Sequence, residues 1–254
     1  MYLLIAILII ASIAIVLIYR KIKQYICGTV NPKKNKQIIE IIHDSGTKSF
    51  LNSLIYANND NINISTYVKF ISDYNAANKD EDIHIIIKTT GGSLCASESI
   101  CNCILNHTGK GKIICYIKEY CFSGGFFIAI CCNKIIMHKT SICGPCDAQI
   151  SVGILDGTYP INAVIKTVEG KLEHNHKIKE PWLANYEICK IIKERQKEFV
   201  KKIASSKGFA EEMEQKLFDE FFSGKYSHDH PMNSALISEI LNYVEVRDVM
   251  VLPN

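Results

Sequence analysis

At 254 residues, with a formal net charge of +3 and 22% charged residues, the chain has enough material for a sizeable core but not the charge excess that nucleic-acid binding draws on. About 220 residues remain once the N-terminus is set aside, which suits one α/β domain and leaves two crowded. Eleven cysteines, an odd number falling mostly in apolar segments, argue against a disulfide framework and fit a reducing compartment.

Tyr2 to Ile18 is apolar except for Ser12 and stops at Arg20-Lys21-Ile22-Lys23. At about 1.5 Å per residue the run is roughly 26 Å long, close to one bilayer core. The basic residues follow the run and no small-x-small site comes after it, which favours an uncleaved anchor over a signal peptide. The excess of Arg20, Lys21, Lys23, Lys33, Lys34 and Lys36 on the C-terminal side predicts a single-pass protein with its body in the cytoplasm. The expected divisions are therefore an anchor over 1–24, a basic linker over 25–36 and one domain over 37–254.

Gln37 to His43 reads as a strand, Thr66 to Ala77 as a helix opened by a hydroxyl cap, and Ile83 to Lys88 as a buried strand. A helix over Cys95 to Asn106, a strand over Lys112 to Ile117, a helix over Gly124 to Cys132 and a strand over Lys134 to His138 follow. Such alternation implies parallel strands with crossover helices. Asn185 to Ala204 and Ala210 to Phe222 are helical patterns broken at Ser206-Lys207-Gly208, with Gly224 as a C-terminal stop.

Two glycine pairs each open a helix: Thr90-Gly91-Gly92-Ser93 and Phe122-Ser123-Gly124-Gly125. Glycine permits a sharp turn, and the helix N-terminus adds N–H donors and partial positive charge. A serine there has what acyl transfer needs, a hydroxyl beside an oxyanion pocket. On the motif alone, a plain N-cap serine is the commoner case.

The blocks TTGGSL, FSGGFFIA and GPCDAQI, between Ile85 and Ile150, resemble the Clp/crotonase superfamily. Within it they are similar to relatives of signal peptide peptidase A, and more specifically to the serine dehydrogenase proteinase family. That family carries an N-terminal membrane segment, a TPGG-like turn, an SGG nucleophile segment, a GPxDPQ block and a late GxxTHDxP block. Here these read Thr90-Gly91-Gly92, Ser123-Gly124-Gly125, Gly144-Pro145-Cys146-Asp147-Ala148-Gln149 and Gly224-Lys225-Tyr226-Ser227-His228-Asp229-His230-Pro231. The resemblance implies a crotonase-like spiral of β-β-α units, assembly as homo-oligomers, and an ATP-independent serine endopeptidase acting on polypeptides. It makes Ser123 the nucleophile, and the backbone N–H groups of Gly91, Gly92 and Gly124 are the expected oxyanion donors if the two strands are neighbours. Ala148 and Thr90 depart from the family's prolines, and Leu241-Asn242 from its Gly-Leu, which bears on loop shape and substrate choice.

Serine needs a base. The Clp subunit's histidine lies about 25 positions after its serine, but that region here holds Asp147, Ala148 and Gln149, which disfavours a Clp-type triad. Relatives of signal peptide peptidase A use a lysine, and Val168-Glu169-Gly170-Lys171 resembles the matching stretch of the family, so Lys171 is the first choice. Lys166, Lys177 and Lys179 compete with it. His228 and Asp229 offer a second route, although His228 fits equally a helix cap near Asn233, and Asp147 is a site-lining acid or a loop anchor. Cys143-x-x-Cys146, Cys101-x-Cys103 and His174-x-His176 lack the further ligands of a metal site, so neither metal nor cofactor is expected. The rival readings are a thioester-binding acyl-CoA protein, disfavoured by Phe126-Phe127 where a carboxylate would be needed, and an inactive membrane scaffold.

Overall fold

Isoleucine-rich runs make the sheet. In the computed structural model, which describes residues 36–43, 61–151 and 157–253, the first half of the chain runs β1 (Ile38–Ile42), α1 (Ile64–Ala76), β2 (Ile83–Thr89), α2 (Leu94–Leu105), β3 (Ile113–Cys121), α3 (Gly124–Cys131) and β4 (Lys134–His138). It continues through β5 (Ile142–Cys143), β6 (Gln149–Ser151), β7 (Thr158–Pro160), α4 (Ile161–Glu173), α5 (Glu180–Lys207), α6 (Glu211–Phe221), β8 (Met232–Asn233), α7 (Ser234–Ile240) and β9 (Val244–Arg247). All belong to one compact unit, Lys36–Asn254. The expected anchor over 1–24 and all but the last residue of the linker over 25–36 lie outside the described residues. Among the described residues no helix is long and apolar enough to cross a membrane.

The fold is α/β with a parallel sheet in the order β1-β2-β3-β4-β9. The end of β3 pairs in parallel with β5, and β5 pairs antiparallel with β8. Strands covered on both faces read as near-continuous apolar runs, and β2 and β3 do so. Ile85, Ile87, Cys115 and Ile117 face the main core with α2 and α3. The register partners Ile86, Tyr116 and Ile136 make a small cluster with Met250 and Leu252.

Several boundaries differ from the sequence reading for identifiable reasons. α1 starts at Ile64 because the Asn63 carboxamide, not a hydroxyl, caps it, accepting from Ser65 N and Thr66 N, while the Thr66 hydroxyl closes a capping box. β3 runs to Cys121, past Ile117, since its second half pairs with β5 after a register shift between Ile87 and Thr89. α5 starts at Glu180, with Pro181 in its first turn where a missing N–H costs nothing. α6 ends at Phe221, before Gly224. α4 was not expected as an element.

All eight residues of α3 are buried. A helix apolar all round belongs in the interior, and this one carries the Ser123 segment at its N-terminus.

Candidate active site

Ser123 sits between the end of β3 and the start of α3 with φ 49° and ψ −123°. That conformation costs a non-glycine residue about 1–3 kcal/mol. Burial of Phe126, Phe127, Ile128 and Ile130 contributes about 2 kcal/mol for each side chain, so the packing of α3 outweighs the strain. The turn is fixed on both sides: Phe122 N donates to Thr89 O at 2.9 Å, and Phe127 N to Ser123 O at 3.0 Å. Although Ser123 stands at the N-cap position, its side chain accepts no helix N–H. The hydroxyl is therefore not spent on capping, and the residue is half-buried at the wall of a cavity.

That cavity, about 270 Å³, is lined by Ser123, Gly92, Gly124, Asp147 and His228 together with Asn61, Thr90, Leu94, Phe127, Cys146, Ala148 and Gln149. It lies at the C-terminal ends of β2 and β3, where open parallel sheets place their ligands. His228 Nδ1 is 2.8 Å from Asp147 Oδ1. Asp147 is buried, and its other oxygen accepts from Gln149 Nε2 at 2.6 Å. An ionised carboxylate accepts only, so Nδ1 carries the proton and Nε2 is left as the basic nitrogen. The helix near Asn233 is capped by Asn233 itself, whose side chain accepts from Leu236 N; His228 does not serve that end.

The two glycine turns meet the cavity differently. Gly91 N donates to the Thr89 hydroxyl at 3.1 Å, so this N–H faces inward, and of the expected trio of donors Gly92 and Gly124 are the ones at the cavity wall. Gly92 has φ 151° and bridges Ile62 in parallel, yet the bridge uses Gly91 O and Ser93 N, leaving the Gly92 N–H out of it. A Cβ on Gly92 would lie 2.2 Å from Ile62 O, and one on Gly124 would lie 2.3 Å from Ser97 Oγ. Neither turn leaves ordinary room for a Cβ, and Gly92 and Gly124 line the cavity beside Ser123.

Lys171 is exposed on the last turn of α4, and Lys166, Lys177 and Lys179 are exposed as well. Among the described residues no lysine lines the cavity. Asp229 is exposed and does not line it either. Cys146 does, but burial pushes its thiol well above its ordinary 9.0, so it stays protonated near neutrality and is a poor rival to Ser123. The ten described cysteines are free thiols. Among the described residues no group of three or more His, Cys, Asp or Glu could hold a metal ion.

The model of the ClpP-like SDH-type serine proteinases matches residues 1–247. The chain belongs to this family. It is accordingly a serine-type peptidase. Two uncharacterized proteins of Methanocaldococcus jannaschii are each 28% identical to it, over 223 and 200 residues. The alignments take in 87% and 79% of this chain, but only 71% and 65% of the two relatives. Among solved structures, the 1510-N membrane-bound stomatin-specific protease, as a serine-to-alanine mutant, is similar with a TM-score of 0.46 and 18% identity over 75% of this chain and 76% of that one. A lysine-to-alanine mutant of the same protease, in complex with a substrate peptide, gives 0.45 and 18% over 75% and 72%. ClpP1 from Listeria monocytogenes gives 0.45 and 13% over 84% and 93%.

Proposed function

We propose that this SDH-type proteinase cleaves peptide bonds through an acyl-enzyme on Ser123, with His228 as general base and Asp147 as its orienting acid. One observation carries the reading: Ser123, His228 and Asp147 line a single cavity, and the Asp147 contact to Nδ1 leaves His228 Nε2 to receive a proton. Ser123 Oγ attacks the substrate carbonyl carbon as its proton passes to His228 Nε2, and the N–H groups of Gly92 and Gly124 stabilise the oxyanion. Collapse breaks the C–N bond, with His228 returning the proton to the leaving amine. Water then repeats the cycle on the ester and frees Ser123.

Lys171 is the second candidate base, supported by the family resemblance of its segment. Its exposure weighs against it, since a lysine base needs desolvation to lose its proton near neutral pH. The apolar run Tyr2 to Ile18 and the basic residues behind it support an uncleaved anchor over 1–24, a linker over 25–36 and a peptidase domain over 37–254 on the cytoplasmic side. The family supports ATP-independent cleavage, the crotonase-like spiral and assembly into homo-oligomers. A tether would bias the enzyme toward membrane-associated or unfolded polypeptides.

The test is labelling of the detergent-purified full chain by a fluorophosphonate. Labelling is expected in the native chain, absent in Ser123→Ala, strongly slowed in His228→Ala and near native in Lys171→Ala. A native chain that does not label overturns the hydrolase assignment of Ser123, and loss confined to Lys171→Ala moves the base role to that lysine.

A further inference from the structure

Gln196 presents a polar group where packing alone would place an apolar one. It lies in α5 with no exposed surface, beside the core residues Phe199 and Val200. Its Nε2 donates to Cys146 O at 3.1 Å, while its Oε1 has no partner. A buried carboxamide with one end unsatisfied gives up in desolvation about what its single bond returns, so that bond invites a reason outside stability.

The bond falls on the peptide unit that joins Cys146 to Asp147. A peptide unit is planar and resists twisting; the Cys146 carbonyl and the Asp147 N and Cα therefore move as one body. Gln196 holds that plane from α5 through its oxygen. The peptide unit before it is held in turn by Cys146 N, which donates to Phe221 O at 2.7 Å at the end of α6. The stretch between β5 and β6 belongs to no strand; its ends are tied by Gly144 N to Cys121 O and by Ile161 N to Ala148 O, and at its centre the bonds to Gln196 and Phe221 supply what a sheet ladder would otherwise provide. The orientation of the Asp147 carboxylate, and with it the imidazole of His228 81 residues away, follows from that plane.

We propose that Gln196 is a positioning residue: by fixing the Cys146 carbonyl it aims the Asp147 carboxylate at His228 Nδ1 and so keeps Nε2 as the basic nitrogen. The inference rests on the reading of Ser123, His228 and Asp147 as the reacting set. It also assigns α5, which lines no part of the cavity, a direct mechanical link to the chemistry.

The experiment compares the full chain in detergent with Gln196→Met and Gln196→Leu, measuring melting temperature, the rate of fluorophosphonate labelling and the tautomer of His228 by ¹⁵N-histidine NMR, assigned with His228→Gln. Gln196→Met removes the orphan acceptor but also leaves the Cys146 carbonyl without its donor, two effects of similar size and opposite sign, so it is expected to melt near the native temperature. Labelling should slow by on the order of tenfold to a hundredfold, as misplacement of a reacting group would cause, and the Nε2–H tautomer of His228 should rise where the native chain holds Nδ1–H. Gln196→Leu removes the carboxamide with a different apolar shape and should behave likewise, which preserves the test if the methionine variant does not fold. Native labelling with a native tautomer in either variant overturns the proposal, as does slower labelling that accompanies a lower melting temperature while the tautomer stays native. A native chain that fails to label sinks the assignment of Ser123 instead, and the tautomer still reports on Gln196.

Discussion

His228 Nδ1 meets Asp147 Oδ1 at 2.8 Å across 81 residues of chain. Asp147 is buried and its second oxygen is engaged by Gln149, so the carboxylate has one orientation to offer. Replacing Asp147 by Asn keeps the volume but offers Nδ1 a group that can donate, which favours the wrong tautomer. Turnover of a peptide substrate by Asp147→Asn and by His228→Ala is expected to fall by about 10³–10⁴-fold with KM little changed, the signature of a transition-state role. Steady-state kinetics on both variants checks this; a fall below tenfold in His228→Ala would remove histidine from the mechanism.

The Thr90-Gly91-Gly92 turn is held by Thr89. Its hydroxyl accepts from Gly91 N at 3.1 Å and lies 2.9 Å from His43 Nδ1, and the residue has no exposed surface. Thr89→Val keeps the shape and leaves the Gly91 N–H buried without an acceptor, a loss of about 1–3 kcal/mol. The Gly92 N–H, one residue on, should lose its aim as well. A lower denaturation midpoint and a drop in kcat of roughly tenfold or more are expected together, measured on Thr89→Val beside Thr89→Ser, which retains the acceptor and should recover most of the kcat.

How much of this was legible before the fold depended on whether the information was local. β4 and the starts of α2 and α3 lie within a residue of the sequence reading, because isoleucine runs and glycine turns signal over a few positions. Ser123, Asp147 and His228 could each be singled out, since each sits in a recognisable block. Their convergence could not, because periodicity carries no record of which loops meet. The absence of a histidine some 25 positions after Ser123 points to Lys171, whereas the fold brings His228, from the far end of the chain, to the cavity that Ser123 lines. Gln196 was invisible for a related reason: a buried glutamine and a solvated one look alike in a helical pattern until the neighbouring helix and loop are known.

Glu98 and Arg195 tie α2 to α5. Arg195 Nε is 2.9 Å from Glu98 Oε1, and the second guanidinium nitrogen reaches the other oxygen. Glu98's side chain is 6% exposed and Arg195's 46%, so the carboxylate depends on this partner far more than the guanidinium does. Arg195→Met strands the acid and should cost about 3 kcal/mol, near the low end for breaking a buried pair. Glu98→Met in the same chain should restore most of it, because two apolar side chains replace a desolvated pair. Chemical denaturation of the single and double variants measures both steps, and an unrestored double variant would show that the guanidinium serves some other contact.

The last turn of α3 offers a readout at alkaline pH. Tyr243 donates its hydroxyl to Ile130 O at 2.8 Å, and Lys207 reaches the carbonyls of Cys131 and Cys132 beside it. These groups satisfy the C-terminal carbonyls of the helix that starts after Ser123. Burial, the largest influence, pushes the Tyr243 phenol well above its ordinary value of 10.0, with nearby thiols adding to it. The neutral phenol is thus favoured in the folded chain, which binds more protons than the unfolded chain once pH exceeds about 10. The contribution is fully present below that pH and is lost as pH rises toward the folded-state value, where ionisation also removes the donor to Ile130. Tyr243→Phe should be less stable near neutrality by about 1 kcal/mol for the lost bond, yet fall less steeply above pH 10. Denaturation midpoints of the two chains from pH 8 to 11 should therefore converge as pH rises; parallel curves would mean that Tyr243 ionises as easily folded as unfolded.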